Sequence, residues 1–160
     1  MFSNIVWATD GSEPADRAFE LACRLAREGG GRIHAVHVIE KMVVQWAAGE
    51  NVYLNEADLK TKVKGQVRAA RERGLDVALR MPGAPSAEIA QRLAEVADEV
   101  QADVIVIGTR GRSTLAATVV GSVTHRLLHL AHCPVLAVPP RQRPNQAATP
   151  SGLTASERRR

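Results

Sequence analysis

Aromatic residues are scarce in this chain of 160 residues, which has two tryptophans, two phenylalanines and one tyrosine. Proteins that bind single-stranded nucleic acid stack bases on aromatic side chains and gather lysine and arginine on one folded face. The net charge of +4 supplies no such face, because residues 141–160 hold five arginines against one glutamate. Residues 1–140 are neutral, with 16 basic and 16 acidic side chains. We therefore expect no nucleic-acid partner.

Cysteine is rare as well, and long apolar runs are missing. The two cysteines, Cys23 and Cys133, are too few for a disulfide scaffold and form no Cys-x-x-Cys pair for zinc or redox chemistry. No run approaches the ~20 apolar residues of a membrane-spanning helix, and the first residues lack the features of a signal peptide. We expect a cytoplasmic protein without a membrane partner.

Short β-branched runs alternate with longer stretches of helical period, which indicates a parallel sheet wrapped by helices. Strands are predicted at residues 5–8, 33–39, 77–79, 104–107 and 135–138. Apolar stripes with spacings of three and four predict helices between them, as at Ala15, Ala18, Ala22 and Leu25. The predicted fold class is α/β, with a five-stranded parallel sheet of order 3-2-1-4-5 and helices on both faces.

Three further segments have their own character. Residues 55–73 predict a helix on which Lys60, Lys62 and Lys64 form a solvated face. Residues 40–54 are an apolar-rich connection that fits neither period, and we interpret them as a mobile flap. After Pro139-Pro140 almost nothing remains to bury, so we expect one domain over residues 1–140 and a disordered basic tail over residues 141–160.

The most specific pattern follows the fourth predicted strand and reads Gly108-Thr109-Arg110-Gly111, nine residues, then Gly121-Ser122. Glycines spaced in this way let the backbone turn tightly and approach a ligand. Gly121-Ser122 precedes a helix predicted at residues 123–131, whose free amides and dipole favour a phosphate. Ser122 can cap this helix or donate to the phosphate, and Arg110 and Arg112 add positive charge. The alternative is that these are only turn glycines and a cap.

A second candidate, Thr9-Asp10-Gly11-Ser12, follows the first strand. In open parallel sheets, ligands bind beyond the carboxyl ends of the strands where the strand order reverses, here between strands 1 and 4. We expect Asp10 and Gly108 to face one crevice, with Asp10 accepting hydrogen bonds from a nucleoside. The alternative for Asp10 is a helix cap, but Ser12 is better placed to cap, which leaves Asp10 for a ligand.

Two common nucleotide motifs are missing from the chain. There is no G-x-x-x-x-G-K-[ST] loop, and no G-x-G-x-x-G follows the first strand. P-loop hydrolysis and ordinary dinucleotide binding are therefore not supported, and the phosphate loop belongs to another type.

Taken in order along the chain, five segments resemble the universal stress protein family. They are Asp10-Gly11-Ser12, Gly83-Ala84-Pro85, Ala102 to Gly108, the G-x2-G-x9-G-S spacing and Cys133 to Val138. The resemblance covers about residues 2–139. It implies a Rossmann-like open sandwich, a homodimer paired through strand 5, and the subgroup that binds ATP. It implies nothing about the arginine-rich tail.

The resemblance also implies roles for individual residues. Asp10, with Thr9 beside it, would contact the nucleoside, and Val38 would hold adenine through its backbone. The loop residues would wrap the ribose and phosphates, and the start of the following helix would bind the phosphate chain. The cofactor implied is ATP, with or without Mg²⁺. The complete implied set is Thr9, Asp10, Val38, Gly108, Thr109, Arg110, Gly111, Gly121, Ser122 and Val123.

His125, His129 and His132 follow the spacing i, i+4 and i+7, which places three imidazoles on one helical face at metal-ligand spacing. No carboxylate is evident beside them, and the same helix must bury leucines. We interpret them as a solvated stripe near a dimer contact and expect no metal site.

Three functions remain open. The first is a regulatory ATP-binding dimer whose nucleotide occupancy alters residues 40–54. Without a triad, paired carboxylates or a lysine in the glycine loop, this protein would at most hydrolyse ATP slowly or phosphorylate itself at Ser113, Thr114 or Ser122. The second is an adenine-nucleotide α-hydrolase-like enzyme, although its Ser-Gly-Gly-x-Asp-Ser signature is replaced by residues 9–12. The third is a structural dimer without a ligand.

Overall fold

The computed structural model describes residues 2–41, 56–111 and 120–141. The predicted flap, apart from residues 40 and 41, and nearly all of the predicted tail lie outside these residues. A 3₁₀ turn at Ser86–Glu88 precedes the third helix. The other elements are β1 (Asn4–Ala8), α1 (Glu13–Gly29), β2 (Arg32–Val36), β3 (Ile39–Glu40), α2 (Glu56–Glu72), β4 (Val77–Arg80), β5 (Gly83–Ala84), α3 (Ile89–Glu99), β6 (Val104–Gly108), α4 (Ser122–Leu130) and β7 (Val135–Val138).

Five of the strands form one parallel sheet in the order β4-β2-β1-β6-β7. The predicted α/β class is confirmed. If the two-residue strands β3 and β5, which pair separately, are left out of the numbering, this order is 3-2-1-4-5. The chain runs outward from β1 through β2 to β4, and then returns to β6 on the other side of β1. Ala8 pairs with Ile107, so the carboxyl ends of β1 and β6 lie side by side where the order reverses.

Alternate residues of the central strands are buried on opposite faces of the sheet. Ile5 and Trp7 belong to a core covered by α1 and α2, whereas Val6 and Ala8 belong to a second core covered by α3 and α4. Trp7 stacks on Phe19 with ring centroids 4.2 Å apart. Its indole Nε1–H donates to the carbonyl oxygen of Ala15 at 2.9 Å. The start of α1 is thereby fixed against β1, because a buried indole N–H needs an acceptor.

The second strand ends earlier than predicted. The sequence predicts a strand over residues 33–39, but β2 ends at Val36, and Ile39–Glu40 pairs with Gly83–Ala84 as a separate two-stranded sheet. Pro82 explains the break, since it accepts the N–H of Ile39 at 2.8 Å but has no amide hydrogen with which to continue the ladder. The residues between β2 and β3, His37 and Val38, are both buried.

Asp103 joins the starts of β1 and β6. Its Oδ2 accepts the backbone N–H of Ser3 at 2.6 Å and of Asn4 at 2.8 Å. These hydrogen bonds stabilise the carboxylate and lower the pKa of Asp103 below its ordinary value. The contact fixes the amino-terminal ends of the two central strands, at the opposite end of the sheet from the ligand crevice that the sequence predicts.

Candidate functional site

A cavity of about 780 Å³ lies at the carboxyl ends of β1 and β6. Its position is the one where open parallel sheets bind ligands, because the loops that leave the two strands diverge to opposite faces. Its volume falls in the range of small-molecule sites. The described residues that line it come from the carboxyl ends of β1, β2 and β6 and the residues that follow them, from β3, and from the starts of α1, α2, α3 and α4.

Nearly all the residues proposed from the sequence line this cavity. They are Thr9, Asp10, Val38, Gly108, Arg110, Gly111, Gly121, Ser122 and Val123. Thr109 is not among the described lining residues, but its carbonyl oxygen accepts the N–H of Gly121 at 2.7 Å. Thr109 therefore joins the loop after β6 to the start of α4. Arg112, Ser113 and Thr114 lie outside the described residues.

Asp10 lies directly against the glycine loop. A Cβ atom built on Gly111 would lie only 2.5 Å from Oδ2 of Asp10, so a side chain at Gly111 and the present carboxylate position exclude each other. Asp10 and Gly108 line the same cavity, as the strand-order argument predicts. The structure thus places a carboxylate next to a glycine-rich backbone at the edge of a cavity that is open to a ligand.

The Asp10 turn is built differently from the prediction. Ser12 occupies the position before the first residue of α1, but its hydroxyl makes no capping hydrogen bond. Instead, Oδ1 of Asp10 accepts both the hydroxyl of Ser12 at 2.6 Å and its backbone N–H at 3.0 Å. A hydrogen bond to a carboxylate is charge-assisted, which favours this orientation of the Ser12 hydroxyl. Ser12 therefore occupies the predicted capping position, but the prediction that its side chain caps the helix was wrong, while Asp10 lines the cavity as predicted.

The glycines of the motif differ in what their missing side chain permits. A Cβ on Gly108 would lie 2.8 Å from Cβ of Pro14 and 3.0 Å from the amide nitrogen of Ala15, so this glycine allows α1 to approach β6. A Cβ on Gly121 would have its nearest neighbour, the carbonyl oxygen of Thr109, at 3.5 Å, which is an ordinary contact. Gly108 is thus required by packing, whereas at Gly121 the fold would accept a methyl group.

The start of α4 contributes backbone amides to the cavity wall. Gly121 is the residue before the helix, and Ser122 and Val123 form its first turn. Both line the cavity, and the first amides of a helix have no partner within the helix. Ser122 is exposed within the first turn rather than at the capping position. Of the two roles considered for Ser122, capping is therefore wrong and donation to a phosphate stays a prediction, while the amides of this turn keep the electrostatic preference for an anion.

Arg110 adds an unsatisfied cation to the same wall. Its Nε atom is buried, and none of the residues at 2–41, 56–111 and 120–141 accepts its hydrogen. A buried charged donor without an acceptor is unfavourable unless a ligand or a water completes it. The Arg110 guanidinium therefore suits an anionic ligand group.

Several charged residues of the cavity wall were missed from the sequence. His37 is 5% exposed, and its Nδ1 donates to the carbonyl oxygen of Thr9 at 3.0 Å. Its Nε2 lies 2.9 Å from Oε1 of Glu56, which is also 3.9 Å from Nζ of Lys60. Lys60 lines the cavity with 35% of its side chain exposed, so this residue of the predicted solvated face also belongs to the cavity wall. The position of His37 inside the apolar run at residues 33–39 was the one signal that could have indicated this cluster of charged residues.

The histidines near the carboxyl end of the chain do not form one stripe. His125 and His129 are exposed and make an edge contact with ring centroids 5.0 Å apart. Because α4 ends at Leu130, His132 leaves the helix and lies 3.1 Å from Oδ2 of Asp98 instead. The predicted three-histidine face was therefore wrong. Within the described part of the chain, no three ligand-type side chains form a group that could hold a metal ion.

No helix among the residues that the structure describes is long and apolar enough to cross a membrane. Cys23 and Cys133 are both unpaired thiols, and partial burial raises the pKa of each above its ordinary value.

Comparison with known proteins gives a consistent result. The family model described as Universal stress protein family matches residues 1–139. A universal stress protein of Methanocaldococcus jannaschii is 32% identical over 145 residues, which cover 86% of this chain and 82% of that protein. The solved structure of a universal stress protein from Archaeoglobus fulgidus is 27% identical with a TM-score of 0.67, covering 86% of this chain and 99% of that chain.

Two other solved structures share the fold and contain a nucleotide. A universal stress protein in complex with cAMP is 24% identical with a TM-score of 0.63, covering 88% of this chain and 98% of that chain. A universal stress protein from Archaeoglobus fulgidus in complex with dAMP is 23% identical with a TM-score of 0.61, covering 86% of this chain and 98% of that chain.

Proposed function

The chain belongs to the universal stress protein family, and we propose that within this family it is a regulatory module that binds ATP in the cavity between β1 and β6. One observation carries the proposal: the Asp10 carboxylate lies against Gly111 at the edge of an open cavity that is also lined by the first turn of α4. A carboxylate suits the hydroxyl groups of a nucleoside, and helix amides suit its phosphates. The cAMP and dAMP complexes of structural neighbours support an adenine nucleotide.

The base would lie against Val38. This residue is 7% exposed and lines the cavity, and among the described residues neither of its backbone polar groups pairs with another main-chain group. Such groups can donate to and accept from the edge of adenine in the way that a strand neighbour would. The ribose would then lie near Asp10, where Oδ2 meets the glycine loop.

The phosphates would lie between the loop and the start of α4. Gly111 gives them access to the main chain, Ser122 and Val123 supply helix amides, and Arg110 supplies a guanidinium whose buried Nε has no acceptor among the described residues. Thr109 supports this arrangement through its hydrogen bond with Gly121. ATP, with or without Mg²⁺, is the proposed ligand.

We propose binding without fast turnover. The loop from Gly108 to Gly121 contains no lysine that could neutralise a transferring phosphoryl group. The nearest acid–base pair, His37 and Glu56, is engaged internally, since His37 contacts both Glu56 and Thr9. Nucleotide occupancy rather than product formation would then be the signal.

The proposed assembly is a homodimer paired through β7. This strand lies at the edge of the sheet, where main-chain groups remain available for pairing. Leu136 on β7 is 37% exposed, and Leu128 and Leu130 on α4 are also exposed. Light scattering should give twice the chain mass, and Leu136→Lys should lower it towards one chain. A monomeric wild type would overturn the proposed dimer. The compartment that we propose is the cytoplasm.

The decisive experiment is extraction of nucleotide from the purified, denatured protein, with identification by mass spectrometry. We expect an adenine nucleotide, and added ATP at a hundred times its Kd should stabilise the fold by about 2.7 kcal/mol. Absence of both would overturn the proposal and favour a structural dimer without ligand. Release of AMP from ATP faster than about one turnover per second would instead favour the α-hydrolase-like enzyme.

A further inference from the structure

Two carbonyl groups flank Asp10, and both are hydrogen-bonded. The carbonyl oxygen of Thr9 accepts a hydrogen bond from Nδ1 of His37 at 3.0 Å. The carbonyl oxygen of Gly11 accepts one from Nζ of Lys62 at 2.7 Å. The backbone is thus held immediately before and immediately after the carboxylate that lines the cavity.

Both hydrogen bonds lead to α2. Lys62 is a residue of this helix, and His37 is held at its other nitrogen by Glu56, the first residue of the helix, at 2.9 Å. Two residues of one helix, six positions apart, are therefore linked to the two ends of a three-residue segment, Lys62 directly and Glu56 through His37. An α-helix is stiff over this length, so a displacement of α2 would move both carbonyls together.

The rest of the interface keeps α2 in place against the turn. Gly11 has φ of 78°, and a Cβ at this position would run into Cδ1 of Leu59, so the turn rests directly on the helix. Asp16 of α1 accepts from Nζ of Lys62 and from Nε2 of Gln66, each at 2.8 Å. Lys62 therefore serves as a bridge between the turn and the first turn of α1.

We infer that α2 sets the position of the Asp10 carboxylate, with Lys62 as a positioning residue that tunes nucleotide affinity from outside the described cavity lining, and with Glu56, which lines the cavity, holding His37 at the other end of the segment. The effect on affinity rests on the proposed function, but the hydrogen bonds on either side of Asp10 are present in the protein without a ligand. Oδ2 of Asp10 already lies against the loop at Gly111, so a small shift of residues 9–11 changes the space left for a ligand. Affinity is thereby adjustable from a helix outside the phosphate site.

The test compares Lys62→Met with Lys64→Met in the full chain. Lys64 is exposed on the same helix and makes no hydrogen bond or ion pair with any residue that the structure describes. The first measurement is hydrogen exchange at the Ser12 amide, which donates to Oδ1 of Asp10 at 3.0 Å. The second is ATP affinity by calorimetry. We expect Lys62→Met to speed exchange about threefold or more and to weaken binding about 3- to 10-fold, with Lys64→Met unchanged in both.

Three further variants separate positioning from general stability. Lys62→Arg should restore most of the affinity, because it keeps a donor for Gly11 and Asp16. Asp16→Asn removes the ion pair but leaves the Lys62–Gly11 hydrogen bond, so it should have a smaller effect than Lys62→Met. Because Glu56 lines the cavity, its readout is taken without ligand: Glu56→Gln should speed exchange at the Ser12 amide more than Glu72→Gln, which changes an exposed pair with Arg68.

The outcomes distinguish this inference from the proposed function. Unchanged Ser12 exchange in Lys62→Met would overturn the inference, whatever the affinity. An Asp16→Asn variant that reproduces the full effect would also overturn it, because the ion pair alone would then suffice. If wild type binds no nucleotide, the proposed function fails, and the exchange comparison still decides whether α2 positions Asp10.

Discussion

Oδ2 of Asp10 lies only 2.5 Å from the position that a Cβ atom at Gly111 would take. The two residues lie in the loops that follow β1 and β6. They meet because these strands are parallel neighbours, and the helices after them pack on opposite faces of the sheet. The Asp10 carboxylate and the main chain of Gly111 therefore form one edge of the cavity, and a change at either residue should alter ligand affinity.

Gly111→Ala should weaken ATP binding about tenfold, a loss of about 1.4 kcal/mol, because the new methyl group displaces the Asp10 carboxylate. The midpoint of thermal unfolding should shift little, since Gly111 is exposed. Calorimetry and thermal unfolding check the two parts. Gly65→Ala is the matched control, because apart from its own helix no described residue lies within 4 Å of a Cβ at this exposed position. Equal affinity for Gly111→Ala and wild type would contradict the role of this contact.

Gly121 should tolerate a small side chain and reject a large one. Gly121→Ala fits with its nearest neighbour at 3.5 Å and should keep a stable fold. Gly121→Leu would push against the backbone of residues 109–111 and close the phosphate side of the cavity. The measurement is the rise in melting temperature on adding ATP, which should vanish in Gly121→Leu. A full ligand-induced shift in that variant would remove the start of α4 from the binding site.

Gly108→Ala should destabilise the fold by about 1–3 kcal/mol, because its methyl group would overlap Pro14 and the backbone of α1. Urea unfolding measures the effect. The same substitution at Gly65 should stabilise the protein by about 0.5–1 kcal/mol, as expected for alanine in place of glycine within a helix. A neutral Gly108→Ala would show that α1 can move away from β6 without cost.

Stability should fall as the pH drops below about 6.5, in part because of His34. This side chain is 6% exposed, and burial, followed by the charges of Arg80 and Arg32, lowers its pKa below the ordinary histidine value. The unfolded chain therefore takes up the proton first, so the contribution of neutral His34 is complete above pH 6.5 and is lost on acidification. One proton limits the slope to about 1.4 kcal/mol per pH unit.

The check on His34 is the unfolding midpoint between pH 7.5 and 5. His34→Leu should flatten the dependence, whereas the same change at the exposed His129 should leave it in place. Asp103 acts in a lower window, because its pKa is lowered and its contribution is lost only as the pH falls below the ordinary aspartate value of about 3.9. An unchanged slope in His34→Leu would assign the acid sensitivity elsewhere.

The parts of the fold that the sequence predicts well are those set by apolar periodicity. The runs at Ile5 to Ala8 and Val104 to Ile107 become the two central strands, because residues covered on both faces must be apolar throughout. The same rule misplaced the end of β2, since apolar residues continue after Val36 while the hydrogen-bond ladder stops near Pro82. A break caused by a residue more than forty positions away leaves no mark in the local pattern.

The site was predictable where one loop carries the signal, and less so where the chain brings distant residues together. The glycine loop and Asp10 follow directly from strand ends. Lys60 and Lys62 lie on one helix and share the spacing of solvated residues, yet one lines the cavity and the other bonds to Gly11. Side-chain direction relative to the Asp10 turn decides this, and it depends on how α2 packs against Gly11 through Leu59.

The stacked pair of Trp7 and Phe19 has a practical consequence. Trp7 immediately precedes Ala8, and its indole N–H is bonded to Ala15, and both alanines line the cavity. The indole is therefore a built-in fluorophore one residue behind the wall that a nucleotide would touch. With Trp46, the only other tryptophan of the sequence, replaced by phenylalanine, emission at a single wavelength can follow occupancy in real time without a dye.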